Sequence, residues 1–150
     1  MSESRASFFN ILVIEDEPGE ARLMRLALQK SGFPLEVHHA SDDREALCFL
    51  RREGAPFDGV PRPDLILLDL KMTGQSGLEL LATLKLDERL RAIPVVVVTA
   101  SGLEADVRAA YQRGAAGYLA KSADFNEFIA AVCKLGQYWF GRVRLPENPA

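Results

Sequence analysis

The 150-residue chain is 48% hydrophobic, 26% charged and 8% aromatic, the composition of a globular domain long enough to bury a full core without disulfide or metal staples. Eighteen Lys and Arg against 21 Asp and Glu give a net charge of -3, which leaves no basic footprint for nucleic acid. Cys48 and Cys133 match no zinc or CxxC spacing, no cationic and apolar leader opens the chain, and apolar runs such as Val95 to Val98 fall far short of the roughly 18 residues that span a membrane, so a reduced, cytoplasmic protein is expected.

Ile11 to Ile14 is an apolar run without alternation. A strand covered on one face would alternate, so the run reads as a central strand of a parallel sheet with helices on both sides. Glu15 and Asp16 follow it. Pro18 suits a first helical position, and Ala21, Met24, Ala27 and Leu28 recur at helical spacing up to a stop at Gly32. Leu35 to Ala40 is a weaker strand, in which the adjacent His38 and His39 face opposite sides and form no joint site. Asp42 caps a helix carrying Ala46, Leu47 and Leu50. Arg51 to Arg62, with Gly54, Pro56, Gly59 and Pro61, is the longest stretch without periodicity and reads as an exposed surface loop.

The pattern then repeats. Leu65 to Leu68 is a strand ending at Asp69, followed by a helix with Leu78, Leu81 and Ala82. Val95 to Val98 leads to Thr99 and a helix with Leu103, Val107, Ala110 and Tyr111. Gly117 to Ala120 leads to Lys121, and the remaining chain looks helical. The order βαβαβαβαβα with right-handed crossovers predicts one α/β domain over residues 1–150, a three-layer doubly wound sandwich with ligands at the carboxyl ends of its strands.

Glu15, Asp16, Asp69, Thr99 and Lys121 therefore share one edge of the sheet. Clustered carboxylates repel one another, and their burial requires a compensating cation; Mg²⁺, a hard ion that takes carboxylates, waters and phosphate oxygens, suits them. With a metal present, an Asp can attack a phosphoryl group, while the Lys ammonium and the Thr hydroxyl bond its oxygens. Glu17, next to the acidic pair, reads as support for the first helical turn.

This arrangement resembles the receiver domain of two-component response regulators over about residues 10–135. The resemblance rests on Glu15-Asp16, on Asp69-Leu70-Lys71-Met72 with Gly77 eight residues after the Asp, on Thr99-Ala100, and on Tyr118 three residues before Lys121. It implies a flavodoxin-like five-stranded parallel sheet of order 2-1-3-4-5. It also implies Asp69 as phosphoacceptor and Asp16 as direct metal ligand, with Lys71 giving its backbone carbonyl to the metal. Thr99 and Lys121 would bind the phosphoryl group, and Tyr118 would be the switch aromatic. Glu15 stands where Asp is commoner, and its longer side chain leaves open whether it meets the metal directly or through water. Thr73 and Ser122 replace frequent prolines, and the isomer of the Lys121-Ser122 bond stays open.

Pro61-Arg62-Pro63-Asp64, Lys121-Ser122 and the aromatic ending Tyr138-Trp139-Phe140 with Val143-Arg144-Leu145-Pro146 look like the single-domain regulators paired with phytochrome-type sensor histidine kinases. That likeness implies such a kinase as phosphoryl donor and slow loss of the phosphoryl group without turnover of an external substrate. No effector domain is expected, so output would pass through a partner protein, altered dimerisation or drainage of phosphate from another pathway. In the helical extension over about residues 136–150 and the helix before it, Phe125, Phe128, Ile129, Val132, Trp139, Phe140 and Val143 keep helical spacing, and Leu135 and Tyr138 widen the apolar arc beyond one stripe. Either the tail folds back or it meets a second copy; the resemblance favours a homodimer through the C-terminal helices.

Three other readings compete. Asp69-Leu70-Lys71-Met72-Thr73 resembles the DxDxT motif of haloacid dehalogenase-type phosphohydrolases, but Lys71 occupies the position of the general acid. A flavodoxin-like FMN binder needs phosphate-binding hydroxyls after the first strand, where Glu15-Asp16-Glu17 would repel the ligand. A phosphorylation-independent interaction module is the third.

Overall fold

A computed structural model describes residues 9–71, 77–100, 102–121 and 124–141. Five parallel strands, β1 (Phe9–Ile14), β2 (Leu35–Ala40), β3 (Leu65–Leu68), β4 (Val95–Thr99) and β5 (Gly117–Ala120), form one sheet in the order β2-β1-β3-β4-β5. Between and after them run α1 (Pro18–Gln29), α2 (Asp43–Arg51), α3 (Gly77–Leu86), α4 (Glu104–Gln112) and α5 (Phe125–Gly141). This is the doubly wound, flavodoxin-like order.

The central strands are apolar throughout because successive side chains enter two different cores. Leu12, Ile14, Ile66, Leu68, Val95 and Val97 pack with Phe49 of α2, with Leu80, Leu81 and Leu84 of α3 and with Ala110 of α4. Their neighbours Ile11, Val13, Leu65, Leu67, Val96 and Val98 pack with Met24, Ala27 and Leu28 of α1 and with Phe128, Val132 and Phe140 of α5.

Local chemistry sets the helix starts. Glu17 is the N-cap of α1, its carboxylate accepting from Gly19 N–H at 3.4 Å, and Pro18 fills the first turn. Asp42 caps α2 by accepting from Glu45 N–H at 2.7 Å, while Glu45 accepts from Ser41 N–H at 2.6 Å. Gly32, with φ of 88°, lies in the turn after α1 rather than at its end, since Lys30 already caps the helix.

One expectation changes and two are refined. The segment after α2 is largely exposed, as expected, but carries local structure: Ala55–Phe57 makes a 3-10 turn, and the Phe57 ring packs 6.1 Å from that of Phe49. Arg52 donates to the Val60 carbonyl at 2.9 Å, which ties the two ends of the segment together. In α4 the inward residue is Ala110; Leu103 stands at the N-cap position at 65% exposure and Tyr111 is 49% exposed, so neither belongs to the buried face. In α5 the stripe Phe128, Val132, Gly136 and Phe140 is buried against the chain's own core, with Ile129, Leu135 and Trp139 flanking it, while Phe125 and Tyr138 face outward. Val143 lies outside the described residues. The end of α5 is held by an aromatic cluster in which Phe140 lies 4.5 Å from Phe9 and 6.3 Å from Phe33.

Phe140→Ala is expected to cost about 3 kcal/mol in denaturant unfolding, the usual range for a buried ring. Tyr138→Ala, two residues away on the outer face, is expected to change stability by less than about 0.5 kcal/mol. Equal losses would mean that α5 does not dock as described.

Candidate functional site

Parallel pairing brings every strand's carboxyl end to one edge, and the hydrogen-bond ladder continues one residue past the strands to fix the site. Glu15 N–H donates to the Ala40 carbonyl at 3.0 Å, Asp69 N–H to Ile14 at 3.1 Å, and Lys121 N–H to Thr99 at 2.7 Å. Their side chains are thus held by sheet backbone, not by loops.

Glu15, Asp16 and Asp69 each offer a carboxylate oxygen, and these oxygens lie within 4.8 Å of one another. Glu15 and Asp69 are buried, at 3% and 7% exposure. The Lys121 ammonium reaches in from β5 and donates to Glu15 Oε1 at 2.9 Å and Asp69 Oδ2 at 3.3 Å. It also meets Glu20 Oε1 of α1 at 3.0 Å. The other oxygens of the pair bind backbone: Glu15 Oε2 accepts from Glu17 N–H at 3.2 Å, and Asp69 Oδ1 from Lys71 N–H at 3.1 Å.

Burial pushes the Glu15 carboxyl up to about 7; the hydrogen bond from Lys121 opposes this, and the Asp69 charge adds to it. For Lys121, burial alone would lower the pKa. Its hydrogen bonds to Glu15 and Glu20 and the charges of Asp69 and Glu15 outweigh burial and hold it above the ordinary lysine range.

Thr99 is fully buried, and its Oγ1 has no hydrogen-bond partner among the described residues. An unpaired buried hydroxyl costs free energy unless an incoming acceptor meets it. Tyr118 is half-buried on β5, paired with Val97, and packs against the α2–α4 core. Lys71 follows Asp69 with its side chain exposed, so it offers no buried acid or base where a phosphohydrolase would need one. Met72, Thr73 and Ser122, with the bond between Lys121 and Ser122, lie outside the described residues.

Gly77 explains its place in the motif. Its N–H donates to the Leu70 carbonyl at 3.0 Å, and a Cβ there would stand 2.5 Å from Asp69 O and 2.7 Å from Leu70 Cα. Only glycine lets α3 begin directly against the backbone that carries Asp69.

Sequence reasoning missed two groups. Glu20, in the first turn of α1, brings a fourth carboxylate to the Lys121 ammonium at 3.0 Å. His39 Nε2 donates to the Glu15 carbonyl at 2.6 Å and so braces the acidic pair from β2.

A cation suits this donor set. Three hard oxygens crowd together against a single ammonium shared with a fourth carboxylate, so negative charge is left in excess.

The profile of the response regulator receiver domain matches residues 11–133. The chain belongs to this family. This receiver is 37% identical to the response regulator Rcp1 of Synechocystis sp., over 91% of its own length and 92% of the relative's. It is 38% identical to the probable methanogenesis regulatory protein FilR2 of Methanothrix harundinacea, over 92% of its own length and 88% of the relative's. Among solved structures it is similar to the phosphorylated cyanobacterial phytochrome response regulator RcpA, with a TM-score of 0.88 and 36% identity over 94% of this chain and 100% of that one. The Mn²⁺-bound form of Rcp1 superposes with a TM-score of 0.85 at 36% identity, over 93% of this receiver and 99% of that chain. The receiver is thus a response regulator of the two-component type, homologous to phytochrome-associated regulators, and among its described residues no helix is long and apolar enough to cross a membrane.

The Glu15 shift carries a pH signature in metal-free protein. The folded state keeps a proton up to about pH 7 that an ordinary glutamate carboxyl loses near 4.5. A raised carboxyl pKa stabilises the fold fully below the lower value, and that contribution is lost as pH rises through the upper one. In EDTA, the Tm of the wild type is expected to fall relative to that of Glu15→Gln as pH rises between these values. A difference that stays constant would mean that Glu15 is ionised throughout.

Proposed function

We propose that the chain accepts a phosphoryl group on Asp69 from the phosphohistidine of a sensor histidine kinase of the phytochrome type, and signals through the change of conformation that follows. The observation that carries this reading is the fully buried Thr99 hydroxyl, which has no partner among the described residues, at the strand end beside an Asp that is already paired with a lysine. The kinase class is supported by the likeness to RcpA and Rcp1.

The carboxylates of Glu15, Asp16 and Asp69, with the Lys71 carbonyl, would hold Mg²⁺. When bound, the cation offsets the charge that opposes approach of one anion to another. Asp69 attacks phosphorus in line. An Asp69 oxygen–phosphorus bond forms as the phosphorus–nitrogen bond to the kinase imidazole breaks, and the imidazole leaves neutral after taking a proton. Lys121 and Thr99 then bond phosphoryl oxygens, and the acyl phosphate is later hydrolysed by water.

A newly satisfied buried hydroxyl contributes about 1–3 kcal/mol. That moves a two-state equilibrium by roughly 5- to 150-fold, provided the bond forms in only one state. Tyr118, on the strand that carries Lys121, would turn inward as this state gains population. We take residues 1–150 as one receiver unit with its core at about 10–135 and a C-terminal helical and aromatic extension at about 136–150. Phe125 and Tyr138, 49% and 55% exposed, support a homodimer through the C-terminal helices.

Intact mass after incubation with acetyl phosphate, followed by peptide mapping, tests the chemistry. One Mg²⁺-dependent adduct on Asp69 is expected, absent from a folded Asp69→Asn variant. Label at the wild-type level in that variant would overturn the assignment. Thr99→Ala is expected to accept the phosphoryl group yet lose most of the conformational response in amide exchange around Tyr118; an unchanged response counts against the switch.

A further inference from the structure

The Lys121 ammonium has three N–H donors, and all three are engaged: Glu15 Oε1 at 2.9 Å, Glu20 Oε1 at 3.0 Å and Asp69 Oδ2 at 3.3 Å. Phosphoryl transfer disturbs two of these acceptors. Asp69 becomes an acyl phosphate, and Glu15 belongs to the carboxylate cluster that suits a cation. Glu20 belongs to neither. It stands on the first turn of α1, outside the cluster, with its side chain 41% exposed. Of the three acceptors it is the one that is neither the proposed phosphoacceptor nor a member of the carboxylate cluster.

We propose that Glu20 is a positioning residue that anchors the Lys121 ammonium, fixing one N–H so that the other two face Asp69 and the arriving phosphoryl oxygens. A lysine on a flexible four-carbon stem gains much from such an anchor, because its charge must meet a group that is present only during transfer. The inference rests on the proposed phosphoryl transfer to Asp69. Glu20 touches neither the phosphorus nor the cation cluster and acts through Lys121 alone.

The test is the rate constant for phosphorylation by acetyl phosphate at saturating Mg²⁺, with the half-saturating Mg²⁺ concentration measured in parallel. In Glu20→Ala the maximal rate is expected to fall about tenfold, the lower end of what loss of a supporting hydrogen-bond partner costs. The Mg²⁺ concentration dependence is expected to stay as in the wild type. Glu20→Gln keeps an oxygen acceptor and is expected to recover most of the rate. In a Lys121→Met background, Glu20→Ala is expected to add no further loss, as two residues acting through one contact require.

A half-exposed ion pair adds little stability, so the thermal midpoint should not move. A Glu20→Ala rate equal to or above that of the wild type overturns the proposal, as does the same loss in the Lys121→Met background. Failure of the wild type itself to take up a phosphoryl group overturns the functional reading together with this one, whereas uptake with no effect at Glu20 overturns only this one.

Discussion

Parallel pairing drives acidic residues together at the ends of neighbouring strands, and the Lys121 ammonium is what lets Glu15 and Asp69 remain buried there. Breaking one partner out of a buried ion pair leaves uncompensated charge and is far costlier than the pair is worth. The arrangement still falls short of neutrality: one ammonium faces Glu15, Glu20 and Asp69, with Asp16 alongside. Glu15 carries the shortfall as a carboxyl displaced to about 7, an ionisation held back chiefly by burial. The edge is thus suited to whatever brings positive charge or gives the lysine a better acceptor, and in the proposed cycle these are the cation and the phosphoryl group.

That tension is supported from behind. The two cores cover both faces of β1, β3 and β4, so the strand ends cannot relax by moving apart without opening buried leucine and valine packing. Gly77 and His39 act in the same direction, one seating α3 on the Asp69 backbone and the other holding the Glu15 carbonyl from the sheet's outer strand. A site that must present charge at a fixed geometry gains from residues whose positions are settled by backbone hydrogen bonds.

The sheet was legible because burial on both faces removes alternation from β1, β3 and β4, and parallel topology then places whatever follows each strand on one edge. Glu15, Asp16, Asp69, Thr99 and Lys121 were found that way, from position alone. Glu20 was not, since an acid in a first helical turn is ordinary on dipole grounds, and only the reach of Lys121 across the edge gives it a partner. The segment after α2 was legible only in part: Gly54, Pro56 and Gly59 signal the exposed loop, while the packing of Phe57 on Phe49 depends on contacts that periodicity does not record. The wide apolar arc of α5 was visible, but which part of it faces home was decided by Phe9 and Phe33, more than a hundred residues earlier in the chain.

β5 joins the two halves of the proposed cycle. Lys121 N–H is bonded to the Thr99 carbonyl at 2.7 Å, and Tyr118 is paired with Val97 two residues before Thr99. In the proposed cycle, a shift of the β4 end toward a phosphoryl oxygen would therefore be shared by Lys121 and by the tyrosine three residues upstream. Three residues along a strand also reverse the face, so Lys121 reaches the α1 side and Glu20 while Tyr118 meets the α2–α4 core. One short strand thus connects the charged edge to the opposite layer of helices, through side chains on its two faces and a hydrogen bond shared with β4.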